Sequence, residues 1–371
     1  MNILYITYLF GKKWTGPNYS VPSQINAQSK YDNVFWYNIN NLFKDRNNGN
    51  LKCNDIDDYP KLKISELPKP FNNPDLVIFE GLYFFSFCKI AKECRRRNIP
   101  YIIIPRSSLT EFAQKSKNIK KSIANLIFFN RFIKNADAIQ YLTSKEYQDS
   151  GVKWNSRHFI IPNGIESKNT IKHFEDNPMA RLKGVFIGRP DIYQKGIDIL
   201  IESCAYLRKE LQKNNCIIEL YGPEIADNKQ RIQKMIDDKG LNHIIIQKNG
   251  VFDHEKEEIL KNSDFFILTS RFEGHPMGLI EALSFGVPCL VTKGTNMAHE
   301  IKEADAGWTA DINSKSLTDA IKILLNDSGS FAEKGKNALK LSKKYNWDVL
   351  AKESHQRYKE LIETNKRIES I

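Results

Sequence analysis

Ser270-Arg271-Phe272-Glu273-Gly274-His275-Pro276-Met277-Gly278-Leu279-Ile280-Glu281-Ala282 sets two carboxylates eight positions apart across a Gly/Pro turn. The apolar run Phe265-Phe266-Ile267-Leu268 just before it reads as a strand, and Met277 to Phe285 as a helix. Glu273 therefore sits on the loop leaving a strand, and Glu281 on the helix that follows. Such a turn leaves free backbone N–H groups at a helix N-terminus, a ready site for phosphate. Carboxylates beside a phosphate site do not suit the phosphates; they suit hydroxyls. Phosphate flanked by hydroxyls is the chemistry of a nucleotide-sugar.

Outward from this stretch, strand and helix signals alternate along the whole chain, the mark of a parallel α/β sheet. In the first half strands are expected at 3–7, 34–37, 76–79, 101–104, 138–141 and 159–161, with helices at 84–97 and 119–134. Pro162-Asn163-Gly164 breaks the pattern with turn chemistry. A second series begins at Gly184-Val185-Phe186-Ile187-Gly188 and continues with strands at 217–221, 244–246, 265–268 and 288–291. A polar-rich helix closes the chain from Trp347 to about Arg367. The expectation is two doubly wound domains, 1–165 and 166–347, facing across a cleft where such sheets bind ligands. The last helix, 348–371, is expected to pack back on the first domain.

The bulk properties agree. A chain of 371 residues fits two domains of about 150 to 200 residues, and 41% apolar content is enough for two packed interiors. No run approaches the ~18 uninterrupted apolar residues of a membrane span. The start, Met1-Asn2-Ile3-Leu4-Tyr5-Ile6, reads as a buried strand, without the basic segment and cleavage site of a signal peptide. Six cysteines with no C-x-x-C pair suit reduced thiols in a cytoplasmic protein. Charge is unevenly placed: residues 1–165 hold 24 Lys and Arg against 13 Asp and Glu, and residues 166–371 hold 31 against 31. A basic half suits nucleic acid, anionic lipid or an acidic substrate. No nucleic-acid motif is present, so nucleic acid is not an expected partner.

Several further motifs fall in a fixed order with this stretch. They are Ile160-Ile161-Pro162-Asn163-Gly164-Ile165, Phe186-Ile187-Gly188-Arg189 followed by Lys195-Gly196-Ile197-Asp198, Tyr221-Gly222, Gly250-Val251, and Gly286-Val287-Pro288. With Glu273 and Glu281 as E-x7-E, the set resembles the retaining glycosyltransferases of family 4 (glycosyl transferases group 1), of the bacterial surface-polysaccharide type. The resemblance is strong from about residue 160 to 350 and weaker before. It implies the GT-B fold, two Rossmann-like domains, and transfer of a hexose or N-acetylhexosamine from a nucleotide-sugar, UDP-linked, to a glycan or lipid-linked glycan.

The resemblance also assigns roles. The residue matching Glu281 holds ribose hydroxyls, and the one matching Glu273 reaches hydroxyls of the donor sugar. Gly188, Gly222, Gly250, Val251 and Pro276 line the donor, and Gly274, Met277, Gly278 and Leu279 offer backbone N–H groups to the diphosphate or sugar. Arg189 and Lys195 lie after a strand and at a helix start, where two fixed cations can neutralise a diphosphate leaving group with no metal or other cofactor. The alternative for both is a solvated surface cation, and for Glu273 a capping carboxylate. His275 reads as a loop histidine near the sugar, not as the base.

The first half is expected to bind the acceptor. Gly16 opens Gly16-Pro17-Asn18-Tyr19-Ser20, a partial match to a Gly-rich loop near the donor phosphates, or else an ordinary turn. Many family members carry a histidine at the end of a first-domain strand; this chain has none before His158. The corresponding positions are Glu80, which could orient an acceptor hydroxyl or act as base, and Arg106, which could bind phosphate or an acidic acceptor. The resemblance implies that departing phosphate itself takes the acceptor proton. Basic residues of 115–134 interleave with Ile127, Phe128 and Phe132, and Arg95-Arg96-Arg97 add to them. This suits an anionic bilayer on the inner face of the plasma membrane, the alternative being a core-packed helix with a solvated face. The rivals for the whole chain are another GT-B enzyme, such as a phosphorylase, and a non-catalytic sugar-nucleotide-binding partner in a glycan-assembly complex.

Overall fold

The computed structural model describes residues 1–11, 15–43, 47–48, 51–115, 124–151, 153–168, 172, 181–225 and 227–369. The chain divides into two compact units, Met1–Gly164 with Trp347–Ile371, and Ile165–Asn346.

In the first unit the strands are β1 (Asn2–Thr7), β2 (Asn33–Asn38), β3 (Asn47–Asn48), β4 (Leu51–Asp55), β5 (Leu76–Glu80), β6 (Tyr101–Ile104), β7 (Ala138–Tyr141) and β8 (His158–Ile160). They order as β3-β4-β2-β1-β5-β6-β7-β8, with every pairing parallel except β3 with β4. β1 is central: Ile3 pairs with Val34 on one side and Leu76 on the other. Its residues 3–6 are fully buried, as a strand covered on both faces requires. Alternation along the strands feeds two apolar layers. Ile3, Tyr5, Trp36 and Ile78 pack with Val21, Ile25 and Tyr358, while Leu4, Ile6 and Phe79 pack with Phe87, Ile90 and Phe132.

The helix Trp347–Glu369 belongs to this unit. Its Tyr358 hydroxyl donates to Gln140 Oε1 at 2.8 Å, and His355 Nδ1 lies 3.0 Å from both carboxylate oxygens of Asp32. The glycine of Pro162-Asn163-Gly164 is explained here: a Cβ on Gly164 would lie 2.4 Å from the Trp347 ring.

Two expectations change. The segment from Gly16 is no Gly-rich loop; it begins the helix Gly16–Gln28, with Pro17 in the first turn, where its missing N–H costs nothing. The helix expected over 119–134 is described only from Ala124. There Asn125–Phe129 forms a π-turn and Asn130–Lys134 a short α-helix, while 116–123 lie outside the described residues.

In the second unit β9 (Leu182–Ile187), β10 (Cys216–Tyr221), β11 (Ile245–Lys248), β12 (Phe265–Leu268), β13 (Cys289–Thr292) and β14 (Gly307–Ala310) form one parallel sheet ordered β11-β10-β9-β12-β13-β14. The chain winds outward from β9, then returns beside it at β12 and winds the other way. That reversal is a topological switch point, where parallel sheets open a crevice at their C-terminal edge. In the first unit the same reversal falls between β1 and β5, the strand that ends in Glu80. Among the described residues no helix is long and apolar enough to cross a membrane. The six cysteines form no disulfide, and all but the half-buried Cys88 are buried.

Candidate active site

In the second unit the switch point gathers the loops after β9 and β12. Gly188 follows β9, and its N–H donates to Tyr221 O at 3.0 Å. Arg189 is exposed, with its guanidinium on Gln194 Oε1 at 2.5 Å. Lys195 is half-buried and reaches Glu273 Oε1 at 2.5 Å, an oxygen that also accepts from Ser270 Oγ at 2.6 Å. The backbone is close-packed here because glycine permits it. Gly196 has φ of 62°, and a Cβ on it would lie 2.0 Å from Thr269 O. Thr269 Oγ1 in turn bonds the carbonyls of Lys195 and Gly196, each at 3.0 Å. A Cβ on Gly222 would lie 2.6 Å from Gly188 O, and one on Gly250 2.9 Å from Pro223 N. These glycines thus let three strand ends close on one another, and Val251 is buried behind them.

The helix Met277–Ser284 begins just after Pro276, which offers no capping side chain. Leu279 N–H turns back to Pro276 O at 3.1 Å, so Leu279 drops out as a donor to a ligand. Met277 and Gly278 hold the first two helical N–H groups, which a helix leaves without internal partners. Glu281 is buried on this helix and paired with Lys256 Nζ at 2.6 Å. His275 is buried, with its ring 5.0 Å from that of Tyr345. Burial lowers its pKa from the usual 6.5 to about 3, so it is neutral at pH 7. Among the described residues no group of three or more His, Cys, Asp or Glu could hold a metal ion.

In the first unit Glu80 and Arg106 face each other. Arg106 Nε donates to Glu80 Oε2 at 2.7 Å, Nη1 to Ser20 Oγ and Asn163 Oδ1 at 3.0 Å each, and Nη2 to Gln24 Oε1 at 2.9 Å. Four of its five N–H groups are therefore spent inside the unit. The Glu80 side chain is 0% exposed and that of Arg106 10%. Burial raises the Glu80 pKa, with Arg106 pulling it back down. Glu80, expected to orient an acceptor hydroxyl or act as base, and Arg106, expected to bind phosphate or an acidic acceptor, are here bonded to each other in an internal staple joining β5, the helix Gly16–Gln28 and the segment before Gly164.

Sequence reading missed several supports. Lys256 lies 25 positions from Glu281. Arg271 clamps Asp198 with bonds of 2.7 and 2.6 Å and stacks over Tyr193 at 4.5 Å, bracing the loop that carries Lys195. Asn296 Nδ2 donates to the carbonyls of Glu273 and, at 3.4 Å, Gly274. Glu146, buried, accepts from Ser107 N and from Leu142 N at 2.7 Å. It holds Arg106 and Ser107 at φ of 49° and 66°, a left-handed backbone that side chains rarely adopt. Nothing local in the sequence marks these partners; a buried acid in a helical first turn after Thr143 is the one legible hint.

Residues 167–341 match the family Glycosyl transferases group 1. The chain carries a glycosyltransferase domain. Arg189, Lys195, Glu273 and Glu281 fall inside it, Glu80 and Arg106 outside. Over 339 residues the chain is 25% identical to an uncharacterised glycosyltransferase of Methanocaldococcus jannaschii, covering 90% of this chain and 87% of that one. Over 107 residues it is 32% identical to the N,N'-diacetylbacillosaminyl-diphospho-undecaprenol alpha-1,3-N-acetylgalactosaminyltransferase of Campylobacter jejuni, 29% of this chain and 27% of that one. HepE of Anabaena, solved in complex with UDP, superposes with a TM-score of 0.75 at 15% identity, over 97% of this chain and 100% of that one. The fold is thus the GT-B glycosyltransferase fold of two Rossmann-like units, and the enzyme class is glycosyltransferase.

Proposed function

We propose that the chain is a retaining family 4 enzyme that moves a hexose or N-acetylhexosamine from a UDP-sugar to a glycan or lipid-linked glycan in bacterial surface-polysaccharide synthesis. The observation that carries the donor side is the Lys195–Glu273 pair at the switch point of the second unit. Without donor the two satisfy each other. A diphosphate competes for Lys195, with Arg189 beside it on the same loop, and releases Glu273 to accept a sugar hydroxyl. Glu281 keeps Lys256 on one oxygen and has the other for a ribose hydroxyl. Met277 and Gly278 add N–H groups at a helix N-terminus.

The acceptor O–H forms the new bond to the anomeric carbon as the bond from that carbon to the diphosphate oxygen breaks. The departing diphosphate takes the proton, since His275 is buried with its pKa lowered to about 3, which makes it a weak base, and Glu80 is stapled to Arg106. Arg189 and Lys195 meet the charge that grows on the leaving group, the task a metal performs in other transferases. The Campylobacter relative acts on a lipid-diphosphate-linked sugar, as its name states, and HepE holds UDP; both support the substrate class. Incubation with a panel of nucleotide-sugars, with and without lipid-linked acceptor, tests the reading. Free UDP rising only with acceptor supports it. No turnover of any donor, or full activity in Glu273→Ala, defeats it.

The membrane reading now rests on a smaller surface. Phe85, Ile127 and Phe128 are exposed, with the Phe85 and Phe128 rings 5.1 Å apart, and Arg131 and Lys134 are exposed nearby in sequence. Phe129, Phe132 and Ile133 are core residues instead. Arg97 turns to Glu93 and Asn72 and leaves the patch. Flotation with anionic vesicles and not with neutral ones is the expected result; equal failure with both removes the idea.

A further inference from the structure

The first unit contains a depression of about 610 Å³ that no donor or acceptor role uses, and its wall includes Arg95 and Arg97 of the expected membrane patch. It lies where β5, β6 and β7 begin, at Asp75, Pro100 and Asp137. The Glu80–Arg106 staple lies where β5 and β6 end. Strands of four to five residues put the two about 16 Å apart, at opposite edges of the sheet.

Its wall is built for an anion. Arg95, Arg97 and Arg157 line it together with Asp75 and Asp137. Both carboxylates are already answered. Asp75 accepts from Asn2 N at 2.7 Å, and Asp137 from Tyr101 N at 2.8 Å and Asn365 Nδ2 at 2.6 Å. The guanidiniums are not answered to the same degree. Arg97 is an exception, fixed by Asn72 O at 2.7 Å, Asn73 Oδ1 at 3.2 Å and Glu93 Oε1 at 3.3 Å, whereas the Arg157 guanidinium makes one bond of 3.2 Å to Asn365 Oδ1. The half-buried Arg95 guanidinium makes no ion pair or hydrogen bond among the described residues. A half-buried guanidinium without a partner forgoes several charge-assisted bonds, and a planar fork suits phosphate or carboxylate. Asn98 and Asn135 on the same wall add carboxamides, whose donor and acceptor pairs match sugar hydroxyls.

We propose that this depression is a second ligand site that takes an anionic saccharide, a sugar bearing phosphate or carboxylate. Arg95 and Arg157 grip the anion, Arg97 is the pre-fixed wall, and the asparagines read hydroxyls. The proposal does not depend on the donor or acceptor assigned above. A glycosyltransferase with such a site would hold an acidic segment of glycan away from the reacting end.

Calorimetric titration of the full-length protein at 150 mM NaCl with glucose 6-phosphate, glucuronate and glucose tests it. The two acidic sugars are expected to bind and glucose to bind at least tenfold more weakly. The double variant R95Q/R157Q is expected to lose at least tenfold in affinity for the acidic sugars, while keeping its melting temperature and its nucleotide-sugar turnover. Lys195→Ala, which alters the donor side, is expected to bind the acidic sugars at this site as the wild type does. Unchanged binding in R95Q/R157Q overturns the proposal, as does equal binding of glucose. Arg95-dependent binding to phosphatidylglycerol vesicles without binding to either soluble acidic sugar also overturns it and makes the wall a lipid contact.

Discussion

Each unit places a glutamate and a cation at the switch point of its parallel sheet, yet the two pairs are built differently. In the first unit Glu80 is sealed from water and Arg106 is held by four partners on three elements. In the second, Lys195 and Glu273 are 15% and 9% exposed, Lys195 has one flexible ammonium in the pair, and exposed Arg189 waits on the same loop. A pair with a sealed carboxylate and a cation held by four bonds cannot change partners without unfolding its surroundings. A half-buried pair with few bonds can. A glutamate and a cation thus serve as a fastener in one unit and as a replaceable contact in the other, and the burial of the glutamate and the number of bonds on the cation decide which.

The strongest way to break this contrast is Arg106→Ala. It leaves the Glu80 carboxylate buried and uncompensated, a loss of about 3–5 kcal/mol for a broken buried pair. The expected result is a marked fall in melting temperature at pH 8. The sign with pH is fixed by the direction of the Glu80 shift. Burial raises its pKa and Arg106 opposes the rise, so removing Arg106 raises it further. The neutral form is tolerated in the folded state, so the penalty grows as pH climbs through that raised pKa and shrinks as pH falls. Thermal melts of wild type and variant at pH 5 and pH 8 should show the smaller gap at pH 5. A variant that melts like the wild type and loses only activity would make Arg106 a substrate contact after all.

Lys195→Ala is the counterpart and should leave folding nearly intact. Loss of one fixed donor to a developing oxyanion costs about 10²–10³ in rate, roughly 2.7–4 kcal/mol. Initial-rate assays should therefore show the loss in kcat more than in donor KM, with a melting temperature close to wild type. A large fall in melting temperature would erase the distinction between the two pairs. Glu281→Gln comes next in size. A hydrogen bond to a charged group is worth about 1.5–3 kcal/mol, so UDP affinity measured by calorimetry should fall about tenfold to a hundredfold.

The contrast also explains what was legible in the sequence. The stretch from Phe265 to Glu281 reads correctly because strand, turn and helix there each follow from neighbours within four residues. Apolar runs such as 3–6 and 101–104 mark central strands for the same reason. Gly16–Gln28 was misread because Gly16-Pro17 is turn chemistry in isolation and Pro22 lies inside the helix; only packing on β1 and β2 decides for helix. The staple was illegible because Arg106 finds its partners 26, 57, 82 and 86 positions away. Lys256 and Asn296 were missed for the same cause. Residue type suggested what could bind a phosphate, but only the fold shows which cations are already engaged.

His275 sharpens the comparison with the smallest effect. It lies in the loop between Glu273 and Glu281, yet it resembles Glu80 in being buried, and burial holds it neutral with a pKa of about 3. A buried histidine with so low a pKa is a weak base and does not change its charge near pH 7. Transfer rate should then show no limb between pH 6 and 8 that His275→Gln abolishes. Its mark should fall on stability instead. The unfolded chain binds a proton near pH 6.5 and the folded one only near 3, so stability is full above pH 6.5 and declines as pH falls between these values. The decline is about 1.4 kcal/mol per pH unit. Denaturant titrations at pH 7 and 5.5 should lose less stability in His275→Gln than in the wild type by about that amount. A rate limb near pH 6.5 that vanishes in the variant would instead put an ionising histidine in the reaction.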